Sequence, residues 1–410
     1  MPIAGAVDAV WRSESGAWMI MGWAARELDP LLCIEVRSMG GMTCATSDSV
    51  GRYSRPDVAR YLGADERREY GLIALMVESD QTVMAHDEVQ VILRGVHGQS
   101  LSVDLAVQQC DDGDLCALAL TAIGRHYPES LSEQRMALLA ALAPGISHLH
   151  ARHQSALKAS ARVWSIGRKN ARIATTIVTR TGSDYDAHFL LPALCGSGTT
   201  QDRTGFLFLC DTDSEWSLHM HRAERTFRLT GCAVTLVMCD PRLGAAGAHN
   251  VALDQMTSER FVMLQGGLYP RSLRDWQRWL NASHGDYRTD ARSSSRGASC
   301  AGQSLEAARP ADLLLPTRRT AYAVNRRTLA ELHGYSEAYV CDGYAELDFD
   351  LRSQYQGCPI SAPRLPARQL AMPERYKDSH QRVGEILTDR FLFNRMHPPS
   401  RPRASRRVAP

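Results

Sequence analysis

Several things are scarce in this chain, and each scarcity closes off a class of function. No two of its 11 cysteines stand at C-x-x-C spacing, and an odd number cannot pair completely. The pattern offers neither a zinc-site spacing nor a disulfide framework, so no metal-ligating residues are assigned and reduced thiols in or near the core of a cytoplasmic protein are expected. No stretch reaches 18 apolar residues, the patch at residues 17–25 is too short to span a bilayer, and the start has no basic segment leading into an apolar one. No transmembrane segment is expected. Charge of one sign is also lacking: the formal net charge is +2, which gives the whole molecule no strong steering toward nucleic acid. Gly244-Ala-Ala-Gly247 is not a dinucleotide fingerprint, and there is no Walker loop and no Gly-x-Ser-x-Gly elbow.

What is present reads as ordinary globular protein. The hydrophobic fraction is 44% and the charged fraction 22%. At 410 residues the chain is too long for one compact core, so two or three domains are expected. Residues 1–125 carry short runs rich in Val, Ile, Leu and aromatics, separated by Gly, Asp, Ser and Pro, which predicts a small all-β sandwich-like module. Within it Trp23 is either a core residue or a sugar-stacking platform, and Arg55 with Asp57 either an ion pair at a helix start or polar contacts to a ligand.

Residues 126–165 read as a helical linker. Met136, Leu138, Leu139 and Leu142 form an apolar stripe behind a cap at Ser132. Pro144-Gly145 is expected to break that helix, with a second one following through Leu149 and Leu157. His148, His150 and His153 do not fall on one helical face and read as solvated rather than metal-binding.

Residues 166–395 carry a different rhythm. Apolar runs at 173–179, 206–210, 233–239 and 261–264 alternate with longer segments, the pattern of βαβ units and a parallel sheet. Ligands of such sheets bind beyond the carboxyl ends of the strands, which singles out Asp211, Asp213, Asp240, Asn250 and Gln265. A carboxylate at a strand end accepts hydrogen bonds from a nucleobase or a ribose, or it caps the next helix. His219 and His221 read as lying on a surface helix, and Trp276 and Trp279 as either packing a helix onto the sheet or lining an acceptor site. Asp348 and Arg352, four apart, are spaced to pair across a helical turn.

The ordered set resembles a divergent family 2 glycosyltransferase of the GT-A fold, over roughly residues 171–360. Asp211 stands at the position that holds the nucleotide base, and Gly247-Ala-His-Asn250 at the helix start. Gln265-Gly266-Gly267 falls in the slot of the metal-binding Asp-x-Asp motif, and Ala345-Glu346-Leu347-Asp348 on the helix that carries the catalytic base. Gly22-Trp23-Ala24 and Arg55-Pro56-Asp57-Val58 loosely resemble an N-terminal module of polysaccharide-biosynthesis glycosyltransferases. The resemblance implies an α/β, GT-A-like nucleotide-sugar-binding domain with a mixed, mainly parallel sheet. It also implies a nucleotide-sugar donor and a polysaccharide or lipid-linked carbohydrate acceptor. Glu346 and Asp348 would be catalytic, and Asp211, Asp213, Asn250, Gln265 and Arg180 would hold the donor.

The departures define two readings. The Asp-x-Asp slot has no carboxylate, which leaves Mg²⁺ or Mn²⁺ little to bind. Met372 stands where a late His is expected, and the catalytic pair is Ala345-Glu346. One reading is an inverting transferase in which Arg180, Arg242 and Arg318-Arg319 neutralise the diphosphate in place of a cation. The other is a fold without catalysis that binds sugar or nucleotide, or serves as a scaffold, in cell-surface polysaccharide synthesis. A third reading is an interaction module working through the β region. Residues 291–310 read as a loop on the acceptor side. Residues 396–410 read as a basic disordered tail, suited to peripheral contact with anionic lipid.

Overall fold

The computed structural model describes residues 4–25, 31–38, 41–65, 68–77, 88–126, 132–167, 173–181, 191–193, 204–210, 216–240, 242–264, 268–282, 321–340, 342–356, 365, 367–369 and 379–398. The molecule is mixed α/β. Its first nine strands are β1 (Gly5–Ser13), β2 (Trp18–Ala24), β3 (Leu31–Ser38), β4 (Gly41–Thr46), β5 (Val50–Tyr53), β6 (Gly71–Met76), β7 (Glu88–Gly95), β8 (Ser100–Ala106) and β9 (Gln108–Cys110). They form two sheets, ordered β5-β6-β2-β1-β9 and β4-β3-β7-β8, antiparallel except where β9 runs beside β1. Alternation sorts the side chains. Trp18, Ile20, Leu72 and Ala74 face Ile34, Val36, Val91 and Leu93 in a shared core. Met19, Tyr53, Ile73 and Leu75 point to the opposite face. A short helix, α1 (Pro56–Leu62), follows β5.

That second face is covered by α2 (Asp112–His126) and α3 (Ser132–Ala159), which bring Leu115, Leu120, Leu138, Leu142 and Leu149 onto it. Two expectations are corrected here. The region read as all-β to residue 125 turns helical at Asp112. The helix expected to break at Pro144-Gly145 runs straight through as one element. Burial explains the second difference. Leu138, Leu139, Leu142, Ile146 and Leu149 are all buried on both sides of an exposed Pro144, and Gly145 lies close against Leu75. Packing along the whole stripe outweighs the lost backbone bond.

The remaining elements are β10 (Arg162–Ile166), β11 (Thr175–Thr181), β12 (Thr204–Cys210), α4 (Trp216–Thr230), β13 (Ala233–Met238), α5 (Ala245–Asp254), β14 (Arg260–Leu264), β15 (Leu268–Pro270), α6 (Leu273–Ala282), β16 (Ala321–Asn325), α7 (Arg326–Glu331), α8 (Asp342–Tyr355), β17 (Ala367–Gln369) and α9 (Ser379–Met396). Six strands make one sheet in the order β10-β13-β12-β11-β14-β16. The central four are parallel, and β10 and β16 close the edges antiparallel. The end of the segment read as a helical linker is thus an edge strand. Its sequence, Arg162-Val163-Trp164-Ser165-Ile166, is short and largely exposed, and it lacks the unbroken apolar run of the central strands.

Helices cover both faces of this sheet. Phe206, Phe208, Val234 and Val262 pack with Trp276 and Trp279 of α6 on one side. The two indoles stack with ring centroids 5.3 Å apart and are buried, so they fasten α6 to the sheet. Leu207, Leu209, Val237 and Phe261 pack with Val251, Tyr335, Phe349 and Phe393 on the other. His219 is buried in α4, contrary to the surface position expected of it, whereas His221 is exposed. No disulfide joins the described cysteines. Among the described residues no helix is long and apolar enough to cross a membrane.

Candidate functional site

The parallel strands end together. β11 stops at Thr181, β12 at Cys210, β13 at Met238 and β14 at Leu264, so one carboxyl edge carries all four strand-end turns. The order β13-β12-β11-β14 reverses between β11 and β14, and in open α/β sheets the ligand crevice lies at such a reversal. In sequence Asp211 follows the last residue of β12 and Gln265 the last of β14. Asp211, Asp213 and Gln265 themselves lie outside the described residues, as do Arg318, Arg319 and Met372.

Arg180 is half-buried near the end of β11, and its guanidinium donates to the Leu243 carbonyl at 3.4 Å. Leu243 belongs to the turn that leads from β13 into α5, and that turn is heavily fastened. Asp240 accepts from the Arg242 backbone at 2.8 Å and pairs with the Arg242 guanidinium at 3.1 Å. That guanidinium holds the Asp240 carboxyl below its usual range. The other arm of Arg242 reaches Asp111, just ahead of α2, at 2.8 Å. Gln154 of α3 closes the turn: its Oε1 accepts from the Gly244 backbone at 2.8 Å and its Nε2 donates to the Arg242 carbonyl at 3.3 Å. Arg242 is therefore committed to two carboxylates, whereas Arg180 reaches the same turn through a carbonyl. Gln154 and Asp111 carried no signal in the sequence, because their partners are about ninety residues or more away along the chain.

Asn250 and Asp348 gather around a second feature, the turn after α7. His333 and Gly334 both adopt left-handed backbone there, with φ of 55° and 72°. Asn250 of α5 accepts from the Tyr335 backbone at 2.9 Å and donates to the Tyr335 carbonyl at 3.0 Å. It also donates to Glu337, which pairs with Lys158 of α3 at 2.7 Å. Asp348 is buried in α8 and binds Arg352 at 2.7 Å, as its four-residue spacing predicts. Its second oxygen meets His397 Nε2 at 2.9 Å. Arg352 in turn donates to the carbonyls of Leu332 and Gly334. Asn250 thus fastens this turn directly, and Asp348 braces it through Arg352. Glu346, also on α8, is half-buried between Ala345 and Leu347.

No protein-family model and no curated protein matches the chain. Among solved structures it is similar to the mannosyltransferase PcManGT of Pyrobaculum calidifontis, solved with GDP-Man and Mn²⁺. The identity is 16% and the TM-score 0.31, over 57% of this chain and 64% of that one. It is also similar to two structures of S. aureus TarS. The 1–349 fragment has 13% identity and a TM-score of 0.26 over 40% of this chain and 51% of that one. The other has 12% identity and a TM-score of 0.28 over 43% and 32%. The chain spans less than two thirds of each of these proteins.

Proposed function

We propose that the carboxyl edge of the six-stranded sheet holds a nucleotide-sugar, and that the protein is a GT-A-like glycosyltransferase acting on a polysaccharide or lipid-linked carbohydrate. The observation that carries this reading is the strand order. It sets the reversal between β11 and β14 beside Arg180, with Asp211 and Gln265 next in sequence after two of the strands. Asp211 and Asp213 accept hydrogen bonds from the base or ribose. Arg180 offers a guanidinium to the diphosphate.

A divalent cation does not fit the residues at hand. The segment after β14 is Gln265-Gly266-Gly267, which carries no carboxylate to hold one. Transfer accordingly runs on the chain's own groups. Glu346 takes the proton from an acceptor hydroxyl, whose oxygen attacks the anomeric carbon as the bond to the diphosphate breaks. The leaving nucleoside diphosphate keeps its electron pair against Arg180. Asp348, with both oxygens engaged, supports the helix that carries Glu346 rather than moving a proton.

The missing carboxylate also favours a second reading, a sugar- or nucleotide-binding protein without turnover. Titration of UDP-, GDP- and dTDP-sugars by calorimetry, with and without Mn²⁺, separates the outcomes. Binding that is indifferent to Mn²⁺, weakened about tenfold in Arg180→Ala by loss of a charge-assisted contact, supports the donor site. Product from any donor, lost in Glu346→Gln, establishes the transferase. Binding without product leaves the non-catalytic reading, and no binding by any nucleotide removes both.

A further inference from the structure

The first sheet carries a second constellation, remote in sequence from the donor site. Tyr61 of α1 is 80% exposed, the highest value among the described large hydrophobics. A lone exposed tyrosine needs no explanation, but this one is held. The half-buried Trp23 of β2 meets it edge-on, with ring centroids 6.4 Å apart and planes at 69°. Asp57 lies four residues earlier on the same helix and so on the same side. Arg55 ties Asp57 at 2.8 Å to Asp8 of β1 at 2.6 Å. The helix is seated by the buried Val58 and Ala59, which pack with Tyr70 and Ala25, and it ends at Gly63 in left-handed backbone. An aromatic ring, two carboxylates and a guanidinium are therefore fixed together at the surface.

We propose that this surface is a saccharide-binding subsite that takes a neutral pyranose. A pyranose presents a face of C–H groups ringed by hydroxyls. The ring of Tyr61, braced by Trp23, offers that face an apolar plane at low entropic cost. The Asp8 and Asp57 side chains remain 43% and 58% exposed, so each keeps oxygens to accept from sugar hydroxyls, while Arg55 donates. The sum of charge selects the class. Asp8 and Asp57 are balanced by Arg55 and by the exposed Arg60 of the same helix, so the surface carries no net charge and suits a neutral sugar rather than a charged one. The subsite stands apart from the donor reading and needs no turnover.

The test uses the full chain, with calorimetry and tryptophan fluorescence against cellohexaose, a glucosamine hexamer and hexagalacturonate. The proposal expects binding of cellohexaose, weaker or no binding of the two charged oligomers, and about tenfold weaker binding in Tyr61→Ala. Tyr61→Phe, which keeps the ring, should bind like the unaltered protein. Nucleotide-sugar titration of both variants should be unchanged, which separates failure here from failure at the donor edge. Four results overturn the proposal: no oligosaccharide bound, Tyr61→Ala binding as tightly as the unaltered chain, a charged oligomer bound best, or Tyr61→Ala changing the sedimenting mass in place of sugar affinity. The last would assign the surface to contact between copies of the chain.

Discussion

A single side chain, Asn250, satisfies three groups of a turn that its own helix does not contain. Its amide is suited to this because it both donates and accepts, and the Tyr335 backbone asks for both. Asn250→Asp keeps the shape but loses the donor and turns a carboxylate toward Glu337. The cost expected from breaking this half-buried network is about 1–2 kcal/mol, read as a lower urea midpoint with unchanged slope. Gly334→Ala meets the same site from the other side. A Cβ there would lie 2.6 Å from Asn250 Oδ1, at a φ that side chains rarely adopt. A loss of similar size is expected, and combining the two changes should cost less than their sum because they disturb one contact. His126 makes a prediction about pH. Its ring stacks on Tyr53 at 4.0 Å, and burial, reinforced by Arg125, pushes its pKa from 6.5 down to about 4. The folded chain therefore resists protonation that the unfolded chain accepts. The stabilising effect is complete above about pH 6.5, declines as pH falls toward 4, and changes no further below that. His126→Phe keeps the stack and should flatten the dependence of urea stability on pH across that window, relative to the unaltered protein.

At the scale of elements, the central strands are legible because burial on both faces makes them continuously apolar. β12 is buried at every residue, and so is β14. β10 escapes the same reading since an edge strand needs no such run. Helix α3 escapes it for the opposite reason: its local punctuation at Pro144 is overruled by contacts with β5 and β6, which no local pattern encodes. Asp348 and Arg352 pair across four residues and can be foreseen, but His397 joins them from 49 residues away. The candidate site divides in the same manner. Strand-end positions follow from the alternation of elements, whereas the fastening by Gln154 and Asp111 depends on how distant helices dock. If tertiary packing alone sustains the helix through Pro144, then Pro144→Ala should add stability. Restoring the backbone donor at an exposed position is worth about 1 kcal/mol or more, and the midpoint of thermal unfolding should rise. A fall would mean that the proline ring is itself needed for the packing of this turn of the helix.

Across the whole molecule, two helices belong to both halves. α3 gives Leu138, Leu142 and Leu149 to the core beneath the first sheet and Leu157 to the core of the six-stranded sheet. α9 gives Ile386 and Leu387 to the former and Phe393 to the latter. α9 crosses α2 at its closest where Gly384 faces Leu120 and Gly124 faces His380, each glycine against a backbone carbonyl with no room for a Cβ. Shared helices convert two cores into one cooperative unit, because neither core keeps its full complement of buried side chains once the other opens. Gly384→Val forces the crossing apart and should lower the unfolding midpoint of both regions together. The test reads two probes in one urea titration: the fluorescence of Trp18 in the first core and of Trp276 in the α/β core, each reported in a variant with the other tryptophans replaced by phenylalanine. Coincident transitions that move by the same amount in Gly384→Val are the expected result. Separate transitions, with only the Trp18 signal displaced, would show that α9 belongs to the first core alone and that the Phe393 contact contributes little to holding the two halves together.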